Sequence, residues 1–175
     1  MIRAAGHIGN RGRVPMVLAA LSLTAACARD DEPAMRARLD QWFSLGESVG
    51  FSATQECAAG VFRLVDPSIK AAMPVTSGAG EMLLRLRQSG RAALDDRAQP
   101  PDAGLVALIN RDRATGMQIR RAALEGRACM DDTVESAFRY ALEEPRSVLA
   151  FDRDSGSLMI LDPATGVLVV SVGAR

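Results

Sequence analysis

Cys57 and Cys129, the Ser68-Ile69-Lys70 triplet and a scatter of carboxylates are the side chains of this sequence with the capacity for chemistry. The two cysteines lack C-x-x-C spacing, so no redox pair of that kind is on offer, and one structural disulfide is the expectation. Ser68 and Lys70 would share a face of a strand, as a Ser-Lys hydrolase would need. That chemistry requires a lysine desolvated until its pKa falls, and Asp66 nearby acts in the opposite direction. Surface charge is the expected role. Glu56, Asp95, Asp96, Asp131, Asp132, Glu143 and Glu144 could supply a glycosidase pair, which needs two carboxyls at a set separation with one pKa raised by burial. Adjacent acids on loops are solvated, however, and platforms for a sugar ring are scarce: one Trp, one Tyr and five Phe. No catalytic residue is assigned.

Asp152-Arg153-Asp154-Ser155-Gly156 has the acidic spacing of a calcium loop, but Ser155 stands where a third ligand belongs and Pro163 where an EF-hand places its Glu. A hairpin turn is expected there, and no metal or cofactor is assigned anywhere in the chain. Arg111, Arg113, Arg120, Arg121 and Arg127 form the densest basic stretch, broken by Asp112 and Glu125. An anion or headgroup patch requires several of them to align; ordinary helix faces with local ion pairs are the expected outcome.

The one histidine, His7, lies in the segment that decides compartment. Arg3, Arg11 and Arg13 lead into the apolar stretch Val14–Ala26, followed by Cys27 and Ala28. A positive start, a short apolar middle and small residues at the end predict an export signal over residues 1–26. Pro15, Ser22 and Thr24 interrupt the stretch, which falls short of the roughly 20 apolar residues of a spanning helix. Thr24-Ala25-Ala26-Cys27 resembles the lipobox of bacterial lipoproteins, although that class usually has Leu where Thr24 stands. The resemblance covers the signal alone. It implies cleavage before Cys27, a diacylglycerol on the Cys27 thiol, acylation of the new amino group and, with Ala28 in second place, sorting to the outer membrane. Each buried CH₂ contributes about 0.8 kcal/mol, so several acyl chains hold a protein at a membrane where one chain is marginal. The alternative is cleavage at the A-x-A site Ala26-Cys27-Ala28, releasing a soluble periplasmic protein that starts at Arg29.

Export sets the remaining expectations. Loss of His7 removes the imidazole from every Ser-His-Asp, Cys-His or His-zinc arrangement. Cys57 and Cys129 become an even pair in an oxidising compartment, hence one disulfide. The whole chain balances 21 basic against 21 acidic side chains; removal of Arg3, Arg11 and Arg13 leaves a slight acidic excess. Neither that charge nor the compartment suits nucleic acid. The expected partners are a membrane, through lipidated Cys27, and a protein or ligand that the sequence does not identify.

Behind the signal, residues 27–32 read as a short acidic tether and 33–175 as one domain. A helix is expected from Pro33 to about Val49, with Met35, Leu39, Trp42 and Phe43 at helical spacing and Gly50 as its stop. Phe51–Val65 reads as one long bent strand or two short ones around Cys57. Ile69–Val75 reads as a short strand that Pro74 confines to an edge. Ser77 opens a helix that Gly90 ends, and Asp95–Asp102 reads as a loop. Further helices are expected over Asp102–Arg111, over Thr115–Leu124, and from Asp132 to just before Pro145, the last with a capping box from Asp132 to Glu135. Ser147–Asp152, Ser157–Asp162 and Val167–Val172 are short apolar runs separated by turn signals, which predicts a three-stranded antiparallel meander. Both faces of Val167–Val172 are apolar, so that strand should be central or covered on both sides. The sum is an α+β fold: N-terminal helix, central helices and an antiparallel sheet. The expected function is a lipid-anchored envelope binding module. A small envelope hydrolase using Ser or paired carboxylates, and a structural envelope component, are the alternatives.

Overall fold

The computed structural model describes residues 30–173; residues 1–26, where an export signal is expected, and Cys27 lie outside them. The chain forms α1 (Glu32–Leu39), β1 (Ser44–Ala53), β2 (Ala58–Asp66), β3 (Val75–Thr76), α2 (Ala79–Ser89), β4 (Arg91–Leu94), α3 (Pro101–Arg111), α4 (Arg113–Gly126), a 3-10 turn (Arg127–Cys129), α5 (Asp132–Glu143), β5 (Val148–Asp152), β6 (Ser157–Asp162) and β7 (Val167–Val172). One seven-stranded sheet runs in the order β1-β2-β7-β6-β5-β4-β3.

The C-terminal meander forms as expected. Val148 pairs with Leu161 and Asp152 with Ser157, and Asp162 pairs with Val167. Gly156 and Gly166 take the left-handed conformation in the two turns, at φ 68° and 66°, where a side chain would be strained. β7 lies between β6 and β2, and both its faces are apolar because Val169 enters the core on one side of the sheet and Leu168 and Val170 that on the other. All pairings are antiparallel except that of β3 with β4, so the sheet is mixed rather than wholly antiparallel.

Two core clusters sit on opposite faces of this sheet. On one face Ala59, Val61, Leu149, Phe151, Leu158, Ile160 and Val169 pack against α2, α3, α4 and α5. On the other, Ala58, Phe62, Val148, Ala150, Met159, Leu161, Leu168 and Val170 pack against Met35 and Leu39 of α1 and against Trp42, Phe43 and Met73. The architecture is therefore four helices, a sheet, and a thin layer of one helix with its flanking segments.

Three sequence expectations need correction. The first helix ends at Leu39, not Val49. Ser44, Gly46, Ser48 and Gly50 are weak helix formers, whereas the hairpin with β2 gives this stretch backbone partners from Ser44 to Ala53, with bulges before Gly50. Met35, Leu39, Trp42 and Phe43 are all buried as expected, the last two from the turn after the helix. Phe51–Val65 accordingly holds two strands with Cys57 between them, as one of the two expected forms has it; the first is the end of the ten-residue β1 and the second most of β2. Second, Ile69–Val75 contributes only the two-residue edge strand β3. Third, β4 was not anticipated: its alanines have low strand propensity, and pairing with β5 imposes the conformation.

α1, α3 and α4 start one or two residues earlier than expected, α5 starts at the expected Asp132, and α2 starts at Ala79, two residues after Ser77. Asp112, not Thr115, caps α4, accepting from the Thr115 backbone N–H at 3.2 Å. That N–H is the main reason the Asp112 carboxyl is held below the ordinary carboxylate range. Asp131, not Asp132, caps α5, accepting from the Val134 N–H at 2.8 Å. Asp131→Ala is expected to cost about 1 kcal/mol of unfolding free energy in urea titration; Asp132→Ala, at a position that caps nothing, should cost less.

α4 lies close against its neighbours because two glycines permit it. A Cβ on Gly116 would stand 2.5 Å from the Ile109 Cα of α3, and one on Gly126 would stand 1.9 Å from the Ser171 Oγ of β7. Ser171 donates to the Ala122 carbonyl at 2.8 Å, fixing α4 across the β7 end of the sheet.

Candidate functional site

Cys57 and Cys129 form a disulfide with an S–S distance of 2.05 Å and a Cα–Cα distance of 5.9 Å. Both are buried. The bond joins the start of β2 to the 3-10 turn before α5, tying sheet to helices. Ser68 and Lys70 face separate partners: the Ser68 hydroxyl donates to Asp66 Oδ1 at 2.6 Å, and Lys70 Nζ donates to the Asp40 carbonyl at 2.6 Å. The Ser68 hydroxyl, followed by its backbone N–H, holds the Asp66 carboxyl below the ordinary carboxylate range. This serine is thus a donor to a carboxylate and not a nucleophile beside a base.

The fully buried carboxylates are Asp152 and Asp162, neither of them among the seven acids the sequence singled out for paired-carboxylate chemistry. Each closes a turn. Asp152 accepts from the backbone N–H and hydroxyl of Ser155, and Asp162 from the Ala164 N–H and the Thr165 hydroxyl. Asp152 pairs with Ser157 at one end of β6, and Asp162 lies at the other. Five residues of strand separate those ends by about 17 Å, well beyond the roughly 5–9.5 Å of a glycosidase pair.

What the topology does bring together is an apolar cleft. On this face Ile69, from the segment after β2, packs against the cluster that holds Val148 of β5 and Leu161 of β6. Lys70 N–H donates to the Trp42 carbonyl at 2.8 Å and Ala93 N–H to the Pro74 carbonyl at 2.8 Å, holding the segment over the sheet from both ends. The resulting cleft, about 470 Å³, is lined by Ile69, Val75, Val148 and Leu161 together with Pro67 and Pro163. Val75 is 48% exposed. The charged groups at the rim are already paired. Arg97 lies 3.9 Å from Asp95, and Arg146 donates to Glu144 at 3.0 Å, which holds the Glu144 carboxyl below its ordinary range. The cleft's attraction for a ligand is therefore chiefly hydrophobic.

Sequence inspection missed this site. Ile69 and Val75 were visible only as a weak strand, and Val148 and Leu161 as meander core. The one local signal was the apolar Ile69 held between Pro67 and Pro74, a stretch too irregular to bury its side chains in regular structure.

The opposite end of the same sheet face carries a polar row. Arg91, Asp152 and Ser157 are cross-strand neighbours. The Arg91 guanidinium lies over the Trp42 ring at 5.6 Å, with its Nε 3.9 Å from Asp152. Ser155 and Ser157 hydroxyls are 2.8 Å apart, and Arg38 reaches Ser157 at 3.4 Å. Arg38 also clasps Asp30 with two hydrogen bonds of 3.0 and 2.8 Å. The start of the described chain is thereby fixed at the β5–β6 turn end of the sheet, away from the cleft. Among the described residues no helix is long and apolar enough to cross a membrane. Comparison with family models, with curated proteins and with solved structures finds no match to this chain.

Proposed function

We propose that this chain is a lipid-tethered envelope module that binds an apolar ligand in the cleft between the segment 67–75 and the β5–β6 face. The observation that carries the proposal is the cleft itself: about 470 Å³ of space walled by Ile69, Val75, Val148 and Leu161. That volume falls within the roughly 300–1,000 Å³ of small-molecule sites. The lining cations Arg97 and Arg146 each have an acid beside them, Asp95 at 3.9 Å and Glu144 at 3.0 Å, so the apolar side chains are the main feature a ligand meets in the cleft. Its placement fits a tethered receptor. Asp30 is held near Ser157, and the cleft lies near Leu161, four residues further along β6 and about 13 Å away. A chain anchored through Cys27 thus presents the cleft at the end remote from its anchor.

An environment-sensitive apolar fluorophore such as N-phenyl-1-naphthylamine tests the cleft. Saturable binding at one site per chain is expected, with loss of at least tenfold in affinity in Ile69→Asp. Val65→Asp, on the exposed part of β2, should leave it unchanged. Absence of saturable binding, or equal effects of the two substitutions, contradicts the proposal.

A further inference from the structure

We infer that β3 is a docking edge for an extended, uncharged segment of a partner protein, which adds beside it as a further strand and sends an apolar side chain into the cleft. The inference rests on the reading of the cleft as an apolar binding site and names the class of its ligand.

The sheet has two edges, β1 and β3, and they are protected very differently. β1 carries register shifts between Leu45 and Gly50. Side chains of α1 reach the same stretch: Arg36 donates to the Gly46 carbonyl and, at 3.0 Å, to the Ser48 hydroxyl, which donates in turn to Glu32. Bulges and covering side chains are devices that keep an edge from pairing with another chain. β3 has neither. Its two residues, Val75 and Thr76, pair in parallel with Ala93 and Leu94 of β4. The Pro74 carbonyl accepts from the Ala93 N–H and the Thr76 carbonyl from the Asp95 N–H, both at 2.8 Å. Backbone groups alternate in direction along a strand, so the N–H and C=O of Val75, between those carbonyls, point away from β4. Among the described residues no strand lies on that side, and Val75 is exposed.

The same residue lines the cleft. Val75 pairs with Ala93, which enters the core on the face that also holds Val148 and Leu161 and against which Ile69 packs. Cross-strand partners share a face. The Val75 side chain therefore stands on the cleft face while its backbone faces the open edge. An outward donor and acceptor and an apolar cleft meet at one residue.

That meeting point favours a peptide over a hydrocarbon. A lipid would fill the apolar walls and leave the Val75 N–H and C=O to water. An extended backbone satisfies both and, at the spacing of about 4.8 Å between neighbouring strands, sets a side chain beside Val75 on the cleft face. Charge decides the composition of the segment. Asp95, Arg97 and Arg146 all line the cleft, so a charged side chain of either sign meets a like charge there as well as an opposite one. Uncharged residues with apolar side chains at alternate positions match these walls. The side chains supply most of the affinity, and the two backbone groups of Val75 fix register.

The test uses the purified full chain and a short capped, fluorescein-labelled peptide that alternates Thr and Leu. It should bind saturably and displace N-phenyl-1-naphthylamine from the cleft. Methylating the backbone nitrogens of the Leu set in one peptide and of the Thr set in another should lower affinity by at least about tenfold in one and by less than about threefold in the other, because only one set faces β3. Val75→Pro deletes the outward N–H and leaves the bonds to β4, and an edge tolerates proline at such a position. It should weaken the unmethylated peptide by about tenfold and the dye by less than about threefold. Circular dichroism of this variant should match that of the parent; if it does not, the methylated peptides carry the test alone. Peptide binding indifferent to both methylations, or a dye that binds and is not displaced, overturns the inference and leaves the cleft as a site for an apolar small molecule. Failure of both dye and peptide to bind overturns the cleft reading and the inference together. A chain that sediments as a dimer, and as a monomer after Val75→Pro, would mean that a second copy takes the edge, and overturns the inference too.

Discussion

Replacing Cys57 and Cys129 together by serine is expected to lower the unfolding free energy by about 4 kcal/mol, the chain-entropy value for a loop of this length. The two positions are 72 residues apart, and the loop includes β2, β3, β4, α2, α3 and α4. Net stabilities of domains are about 5–15 kcal/mol, so the bond supplies a large share of what holds helices to sheet. Both sulfurs are buried, with the Thr54 hydroxyl 3.6 and 3.4 Å from them, so the bond stands in packed surroundings. Urea unfolding under non-reducing conditions should separate parent from variant, and adding reductant should bring the parent to the variant's curve. Coincident curves without reductant would contradict the prediction. The same logic links stability to compartment, because the bond forms and persists in an oxidising space.

Phe62→Ala is expected to cost about 3–5 kcal/mol, the usual range for truncating a buried aromatic. Phe62 has no exposed surface and belongs to the cluster with Met35, Leu39, Trp42 and Phe43. Its effect should be concentrated on α1. That helix has eight residues, too few to stand without packing, and Arg36 lies over the Phe62 ring at 5.5 Å. Amide hydrogen exchange in α1 should therefore accelerate more than in β5–β7. Val65→Ala, on the same strand but 76% exposed, should change stability by no more than about 0.5 kcal/mol. A Phe62 variant that loses less than about 1 kcal/mol would contradict the packing described for this face.

The legible parts of the fold were those whose local pattern and tertiary partners agree. β5, β6 and β7 are apolar on both faces, and Asp-to-Gly turns separate them; their buried neighbours lie on adjacent strands. α2, α3 and α5 show a stripe and a stop. Val49 misled because it continues the spacing of Met35, Leu39 and Trp42, and only the β2 pairing decides against a longer helix. Ala92 and Ala93 carry no strand signal of their own. The cleft was illegible for a different reason. Ile69, Val148 and Leu161 lie far apart along the chain, and the crossing of segment 67–75 over the sheet is what places them side by side.

The proposed lipid attachment at Cys27 would underlie envelope residence and the presentation of the cleft away from the membrane, and metabolic labelling with radioactive palmitate tests it most directly. The predicted result is label on the wild-type chain in the membrane fraction and none on Cys27→Ser. An unlabelled wild-type chain, recovered from the cytosol with Met1 and His7 still attached, would contradict it.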